Sequence, residues 1–424
     1  MLGISVYLSE TMEKQEAYIR KMRGAGCKSI FTSLHIPEDD PGMYKSRLQE
    51  LGGLAREIGM ELMADISRKS LEHLGCTWET AGKLLNWGLS GLRIDYGVAD
   101  EVIVQLSHEM RVALNASTLT EAGLDSLRKF GLITENAEAW HNFYPRRETG
   151  LDRNFFRRQN RLIKEAGLGV MAFIPGDAML RGPLHEGLPT LEDHRSQSPF
   201  AAYVDLLECE GVDKVLVGDI QISDDTLEQF AMYQDGVVLL RARAATVPAV
   251  DTVPVPAAAA ASVPAAASAS VPAAASVPGE TDGGLSTGRA GGLSSSLPAK
   301  DGSNLSGNLL SDNERIPFGR MLLKVGTVHT NRPDAARDVI RSLESRLYAT
   351  IGPGGVVPDN TTERRAGSIT VDNERYGRYQ GEIQIAKRDL PRDERVNVIG
   401  SVIDADLPLL PFIGGGQKFK IEWV

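Results

Sequence analysis

Short apolar runs alternate with longer amphipathic stretches over the first 235 residues or so. The short runs are rich in β-branched and aromatic residues, which is typical of strands, and the longer stretches carry apolar residues at helical spacing. Eight strands are predicted, at Gly3–Leu8, Ser29–Leu34, Glu61–Asp65, Gly91–Asp95, Arg111–Asn115, Glu138–Phe143, Gly169–Ile174 and Lys214–Gly218. Helices are predicted between them, among them Met12–Gly24, Tyr44–Ile58, Trp78–Trp87 and Asp152–Ala166. This alternation indicates a parallel sheet.

Eight β/α units in about 235 residues favour a closed (β/α)₈ barrel over an open sheet, because that length is normal for the barrel. Reactive groups in such barrels lie at the C-terminal ends of the strands. The residues at those ends are mostly polar, although the strands themselves are apolar. They are Tyr7, Ser33, Asp65, Asp95, Asn115, His141, Asn142, Pro175 and Asp219.

Two loops at this end of the barrel stand out. The segment HNFYPRRETGL, residues 141–151, follows the sixth strand and gathers many hydrogen-bonding side chains. The seventh strand is followed by a long loop, Gly176 to Ser198, which contains RGPLHEGLPTLEDHR. Loops held by a rigid scaffold often carry function, and loops this long in compact domains are usually functional or disordered. We therefore expect a ligand-binding loop at 141–151 and a folded lid or wall at 176–198.

The remainder of the chain changes character twice. Residues 244–313 consist of Ala/Val/Pro/Ser repeats followed by a Gly/Ser-rich stretch, which predicts a flexible linker or insertion. From about residue 314 a small β-rich barrel or sandwich domain is expected, and the strand-like run Gly236–Arg241 resembles part of it. Its predicted elements are a strand at Met321–Thr327, a helix at Pro333–Leu347, and strands at Gly367–Val371, Gly381–Ala386, Val396–Val402 and Phe419–Val424.

Composition narrows the class of partner. The 424 residues carry a net charge of -10, which argues against a nucleic-acid or anionic-membrane surface and favours a small molecule as the partner. The opening MLGISVYLSE lacks the features of a secretory signal, so a cytoplasmic location is expected. The three cysteines and the histidines have no recognised metal-ligand spacing, and no cofactor-binding motif is present, so neither a metal nor a cofactor is predicted.

Two strand-end aspartates are the main candidates for catalysis. Asp65 and Asp95 each close an apolar strand, and two carboxylates over one barrel mouth are what glycoside hydrolysis requires. An aspartate in such a position is about as often a helix cap or an ion-pair partner. Asp219, Glu148 and Glu192 are the substitutes if geometry disqualifies either aspartate.

Other side chains are candidates for substrate recognition. Arginines can form two parallel hydrogen bonds with a phosphate or carboxylate, which makes three loop arginines candidates for an anion. Strand-end and loop amides, imidazoles and phenols would orient hydroxyl or acetamido groups. In the second domain, the run DNERYGRY is either a polar hairpin turn or a second wall of the cleft. The predicted binding residues are Asn115, His141, Asn142, Tyr144, Arg146, Arg181, Arg195, Tyr376 and Arg378.

With these motifs, the sequence resembles the 6-phospho-N-acetylmuramidase family. The resemblance rests on GISVYLSE, ADIS, LRIDYG, ALNAS, HNFYPRRETGL, RGPLHEGLPTLEDHR and GSITVDNERYGRYQGEIQI. Trp140 departs from the pattern, since a small residue or cysteine is expected before the His-Asn pair, and the insertion at 244–313 is a second departure. The resemblance implies a (β/α)₈ barrel followed by a cyclophilin-like β domain. It also implies cytoplasmic hydrolysis of the β-1,4 bond in N-acetylmuramic acid 6-phosphate–N-acetylglucosamine during peptidoglycan recycling.

Two alternatives stay open on the residues alone. A phosphosugar isomerase, epimerase or lyase on the same barrel typically needs a divalent metal or a base poised for proton abstraction. A non-catalytic binding protein for phosphorylated cell-wall sugars would lack two close carboxylates. Retaining and inverting chemistry also stay open, because they differ in a carboxylate separation of about 5 Å against roughly 6.5–9.5 Å.

Overall fold

The computed structural model describes residues 1–34, 41–94, 97–245, 325–345 and 356–424. Asp95 and the predicted linker from residue 246 onward lie outside these ranges. In the first 234 residues, parallel strands alternate with helices. The elements are β1 (Leu2–Ser5), α1 (Met12–Gly24), β2 (Ser29–Ser33), α2 (Tyr44–Ile58), β3 (Glu61–Ile66), α3 (Arg68–His73), β4 (Gly91–Ile94), α4 (Asp100–Glu109), β5 (Arg111–Asn115), α5 (Glu121–Phe130), β6 (Ala137–Trp140), α6 (Arg153–Glu165), β7 (Gly169–Ile174), α7 (Pro199–Glu208), β8 (Lys214–Val217) and α8 (Asp224–Gln234).

The strands β1 to β8 close into one parallel barrel in chain order. The closing pair is β1 with β8, where Gly3 is the partner of Leu216. This confirms the predicted (β/α)₈ barrel. The segment Trp78–Trp87, predicted as helical, forms a 3₁₀ helix between α3 and β4.

The barrel interior is filled in layers, as expected for strands whose alternate side chains point inward. The middle layer is apolar and consists of Phe31, Met63, Ala113, Trp140, Met171, Phe173 and Leu216. Trp140 is fully buried there. The residue that departs from the family pattern is therefore a central part of this core.

Below this layer, at the N-terminal end of the strands, lies a buried ion cluster. The Lys214 ammonium, whose side chain is 4% exposed, donates to Glu61 at 2.9 Å and to Glu138 at 2.7 Å. The indole N–H of Trp140 donates to Glu138 at 2.7 Å, and the Lys214 ammonium lies 5.2 Å from the centre of that ring. Buried charges persist only when they are paired, and here each has several partners.

The second sheet has seven strands of mixed direction. Its elements are β9 (Val237–Ala244), β10 (Val328–Thr330), β11 (Val339–Arg341), β12 (Ser368–Asp372), β13 (Ile383–Ala386), β14 (Val396–Val402) and β15 (Lys418–Trp423), in the order β10-β15-β9-β14-β12-β13-β11. β9 pairs in parallel with β15, and the other pairs are antiparallel. The prediction of a β-rich domain after the barrel is confirmed.

Two predictions about this domain were wrong in the parts that the structure describes. Of the helix predicted at Pro333–Leu347, the described part, residues 333–345, contains the strand β11 and no α-helix. Of the strand predicted at Met321–Thr327, only residues 325–327 are described, and the strand begins after them, at Val328. The pairing of β11 with β13 explains the first error, because a pairing between distant segments overrides local helix propensity.

A buried carboxylate joins the second sheet to the barrel. Asp406, which is fully buried in the 3₁₀ helix Asp404–Phe412, accepts two hydrogen bonds from the Arg241 guanidinium, at 3.0 and 2.6 Å. It also accepts from the side-chain amide of Gln229 in α8 at 3.0 Å. These contacts hold β9 against α8, so the second sheet packs on the side of the barrel.

Candidate functional site

A layer of polar side chains lies above the apolar core, at the C-terminal mouth of the barrel. Strand alternation places Asp65 on the same inward face as Met63, two residues earlier in β3. The Asp65 carboxylate forms an ion pair with Arg93 of β4 at 2.7 Å, and the Ser33 hydroxyl lies 3.4 Å from its other oxygen. The Asp65 side chain is 17% exposed. It is therefore held rigidly and still reaches solvent at the mouth.

Arg93 is a site residue that the sequence interpretation missed. It is the register partner of Asp65, and its side chain is 7% exposed. One end of its guanidinium bonds Asp65, the other end bonds the side-chain oxygen of Asn142, and its Nε atom has no partner in the described part of the chain. A signal existed, since Arg93 is the one charged residue inside the apolar run GLRI and lies two residues before Asp95. Arg93 thus links two predicted site residues across the mouth.

His141 does not lie in the mouth. Because Trp140 points inward, the next residue points outward, and the fully buried His141 ring packs on Phe156 of α6 with centroids 4.4 Å apart. Its Nε2 atom lies 2.7 Å from the Asn160 side-chain oxygen. The structure therefore brings Asn142 to the site and removes His141, which was predicted to bind substrate, from it.

Burial lowers the pKa of His141 to about 4, because the charged imidazolium would lose its hydration there. Between pH 6.5 and 4 the unfolded chain binds a proton at this residue and the folded protein does not. Stability is therefore complete above pH 6.5 and falls with decreasing pH by up to about 1.4 kcal/mol per pH unit, levelling off below pH 4. Urea unfolding of the wild type and of His141→Gln between pH 7 and 4 measures this. The variant should show a shallower slope, and parallel slopes would contradict the assignment.

An ion pair clamps the two long loops together. Arg195 donates to both Glu192 oxygens, at 2.6 and 2.7 Å, and to the backbone carbonyls of Tyr144 and Arg146, at 3.0 and 3.1 Å. It also donates to two carbonyls of its own loop, residues 186 and 187. We call Glu192 and Arg195 the loop clamp. Arg195 is only 7% exposed in its side chain, and its donors are used within the protein.

Glu192 completes the clamp from the other direction. Its oxygens accept from the backbone amides of Glu148 and Gly150, at 2.8 and 2.7 Å. Gly150 approaches so closely that an added Cβ would lie 2.6 Å from a Glu192 oxygen. The hydrogen bonds from Arg195 and from these amides lower the pKa of Glu192 to about 2. These contacts give Glu192 a structural task in shaping the 141–151 loop.

Asp219 has a similar structural role at the start of the long loop, residues 176–198. It is 1% exposed, and its carboxylate accepts from the backbone amides of Gly176, Arg181 and Leu188, at 2.8, 3.0 and 3.0 Å. Three amides that converge on one buried carboxylate fix the course of the backbone between them. Asp219 thereby positions residue 181 over the mouth.

The Arg181 guanidinium lies against aromatic rings at the mouth. It is 4.4 Å from the centre of the Tyr7 ring and 5.9 Å from that of Phe143. It forms no ion pair with any residue in the described ranges. A cation that is held by aromatic faces and has no acidic partner is suited to an anionic ligand group.

The other predicted residues have diverse settings. Glu148 is exposed, has a left-handed φ of 67°, and lines a 340 Å³ cleft between the two loops. The Asn115 side chain accepts from the amide of Ser117 at 3.1 Å, next to the mouth. Arg146 is exposed, and the backbone amide of Tyr144 donates to Pro189 at 2.9 Å. Asp95 is outside the described residues.

The two residues predicted in the second domain contact their own neighbours. The Arg378 guanidinium donates to the Tyr379 hydroxyl at 2.8 Å, and the Arg395 guanidinium lies 4.5 Å from the centre of the Tyr376 ring. Tyr376 and Arg378 lie in the 3₁₀ helix Glu374–Tyr379, which follows β12. No contact between either residue and the barrel mouth occurs among the residues that the structure describes.

Comparison with known proteins identifies the family. Residues 2–232 match the N-terminal part of 6-phospho-N-acetylmuramidase, and residues 319–422 match its C-terminal part. The chain belongs to the 6-phospho-N-acetylmuramidase family. The resemblance seen in the sequence motifs is thereby confirmed. The two matches leave out the stretch between residues 232 and 319, which contains the low-complexity segment.

Solved structures related to this 6-phospho-N-acetylmuramidase family member extend over the whole chain. A conserved protein of unknown function from Enterococcus faecalis is 36% identical, with a TM-score of 0.76, and the match covers 100% of this chain and 96% of that one. An uncharacterised B. cereus protein is 22% identical with a TM-score of 0.63, covers 99% of both chains, and shows the same fold. No curated protein matches the chain. Every helix within the described ranges is too short or too polar to cross a membrane.

Proposed function

We propose that this protein hydrolyses the β-1,4 bond of N-acetylmuramic acid 6-phosphate–N-acetylglucosamine. The observation that carries the proposal is the Asp65–Arg93 ion pair at the mouth of a (β/α)₈ barrel in a chain of this family. A carboxylate on a rigid strand end, open to the mouth, is the group that glycosidic cleavage needs. Membership of the family supports the choice of a phosphorylated amino sugar as substrate.

Within this proposal Asp65 acts as the nucleophile or the general base. The Arg93 guanidinium donates to its Oδ1 atom, which orients a carboxylate that can attack or accept a proton, whereas a general acid must donate one. We assign the proton donor to Asp95 or Glu148, and the activities of Asp95→Asn and Glu148→Gln decide between them. The contacts of Asp219 and Glu192 with backbone amides support a structural assignment for these two.

Arg181 is proposed to bind the 6-phosphate or the lactyl carboxylate, because it combines a fixed position with the lack of an acidic partner in the described ranges. Asn142 and Asn115 are proposed to contact hydroxyl or acetamido groups from the polar layer. Arg195 is not available for this task, since its guanidinium serves the loop clamp.

We also propose a role for each part of the chain. The barrel, residues 1–235, carries the reaction, residues 244–313 form a linker or insertion, and residues 314–424 with β9 form the second domain. The reaction would serve the recycling of peptidoglycan fragments in the cytoplasm.

The proposal is tested by incubating the purified protein with the phosphorylated disaccharide and, in parallel, with the same disaccharide lacking the phosphate. Release of N-acetylmuramic acid 6-phosphate, unaffected by a chelator and much slower without the phosphate, is the expected result. No release would refute the proposal. Activity lost to the chelator would favour the metal-dependent phosphosugar enzyme instead, and tight binding without turnover would favour a binding protein.

A further inference from the structure

A groove of 650 Å³ opens beside the ends of β3 and β4, outside the polar layer of the mouth. Its walls come from α3, the 3₁₀ helix Trp78–Trp87 and the start of α4. Its apolar surface comes from the partly exposed side chains of Trp78, Val98 and Val102, and the buried Ile66 and Leu71 lie behind them. We call it the Trp78 groove. Its volume lies within the roughly 300–1,000 Å³ that small-molecule sites occupy.

The Trp78 groove adjoins the proposed catalytic position along the chain. Ile66 immediately follows Asp65, and its side chain lies on the opposite, outer face of β3. Gly97, which also lines the groove, comes two residues after Asp95, so the groove lies on the outer side of these strand ends. A ligand that is cleaved at Asp65 and leaves the mouth across the ends of β3 and β4 would meet this groove on their outer side.

The charge of the groove selects against an anion. Its charged lining residues are Arg68, Glu72 and Glu79, so one positive and two negative charges leave a formal charge of -1. Arg68 is already paired with Glu72 at 3.3 Å. A phosphate or a carboxylate would meet net repulsion here.

Arg181, the cation suited to an anionic group, lies on another side of the barrel mouth. Arg181 contacts Tyr7, which follows β1, and its backbone amide is bound by Asp219, which follows β8. In the closed order of strands, this position is about three strands around the barrel from the β3–β4 side. The two ends of a substrate, one anionic and one neutral, therefore have separate positions on either side of Asp65.

We propose that the Trp78 groove binds the neutral N-acetylglucosamine ring, the half of the disaccharide that leaves, with the apolar face of the ring stacked on the Trp78 indole. This assignment rests on the proposed function and adds to it the orientation of the substrate. An indole offers a wide flat surface to the C–H face of a sugar, and the carboxylates of Glu72 and Glu79 accept hydrogen bonds from its hydroxyl groups.

The test compares two substrates that share the phosphorylated sugar. One is the disaccharide, and the other is the 1-fluoride of N-acetylmuramic acid 6-phosphate, whose leaving group has no ring to place in the groove. For Trp78→Ala, kcat/KM on the disaccharide should fall about tenfold or more, while kcat/KM on the fluoride changes less than about twofold. Trp78→Phe should recover part of the loss.

Three further variants make the result specific. Trp87→Ala alters the other end of the same 3₁₀ helix, outside the groove, and should affect neither substrate. Val102→Trp fills the groove without removing the indole, and it should reproduce the selective loss even where Trp78→Ala folds poorly. Arg181→Met should lower kcat/KM on both substrates, since both carry the anionic groups.

Equal losses on the two substrates for Trp78→Ala and Val102→Trp would overturn the inference, and so would unchanged activity on both. The proposed function is judged separately by the wild type. If the wild type releases N-acetylmuramic acid 6-phosphate from the disaccharide, the function stands whatever the Trp78 variants do. If it cleaves neither substrate, the proposed function fails and the assignment of the groove fails with it.

Discussion

Replacement of Asp65 by asparagine is expected to lower kcat on the phosphorylated disaccharide by about 10³-fold or more, because the amide can neither attack the anomeric carbon nor accept a proton from water. KM should change much less, since Asp65 lies beneath the reacting bond in the proposed geometry and Arg181 binds the anionic groups. Steady-state kinetics with quantified release of N-acetylmuramic acid 6-phosphate measures both parameters.

The matched control for this prediction is Ser33→Ala. The Ser33 hydroxyl lies 3.4 Å from the Asp65 carboxylate, at the weak end of hydrogen bonding, so its removal should cost less than about tenfold in kcat. An Asp65→Asn protein that folds and keeps more than about a tenth of the wild-type kcat would remove Asp65 from the mechanism, even if the function itself is correct. Unfolding midpoints show whether the unpaired Arg93 has destabilised the variant.

Loss of the loop clamp is the change with the largest expected effect on stability. Arg195→Met leaves the partly buried Glu192 without its cation and deprives carbonyls of two loops of their donor. Because Glu192 is 32% exposed and keeps two backbone amide donors, the expected loss is about 2–3 kcal/mol, below the roughly 3–5 kcal/mol of a fully buried pair. Urea unfolding should show this loss, and kcat/KM should fall as well, because the 141–151 loop is no longer held over the mouth.

Arg147→Met is the control for the loop clamp. Arg147 also joins the two loops, by an ion pair with Glu186, but its side chain is 69% exposed and that of Glu186 is 34% exposed. Exposed pairs contribute about 0–1 kcal/mol, so this variant should remain close to the wild type. Similar unfolding free energies for the two variants would show that the burial of Arg195 gives the loop clamp no special role.

The barrel itself was predictable in detail. Several predicted elements coincide with the structure, among them α1, α2, β5 and β7, because buried parallel strands are continuous apolar runs and the helices between them keep a period of 3.6 residues. Both signals are local. The helix predicted at Pro333–Leu347 failed because β11 is a short strand whose hydrogen-bonding partner, β13, lies more than 40 residues later in the chain.

The sequence predicted where the candidate site lies in the barrel, but it did not predict which side chains lie in it. Sequence reasoning chose the strand ends and the two loops correctly as the mouth, yet it treated His141 and Asn142 alike and ignored Arg93. One residue along a strand reverses the face on which a side chain lies. The direction of the sixth strand was therefore needed to separate the buried His141 from the Asn142 that bonds Arg93.

The sequence by itself determined the barrel, the family and the set of polar residues that meet at the mouth, because periodicity and long motifs are properties of neighbouring residues. The tertiary structure decided which contacts each of those residues makes. Glu192, Arg195 and Asp219 looked like catalytic or anion-binding groups in isolation, but their charges are bound by amides, carbonyls and each other. Asp65 and Arg181 remain partly exposed at the mouth. Which charged groups are used in contacts within the protein depends on contacts between loops that are far apart in the chain. These contacts exist only once the barrel has closed.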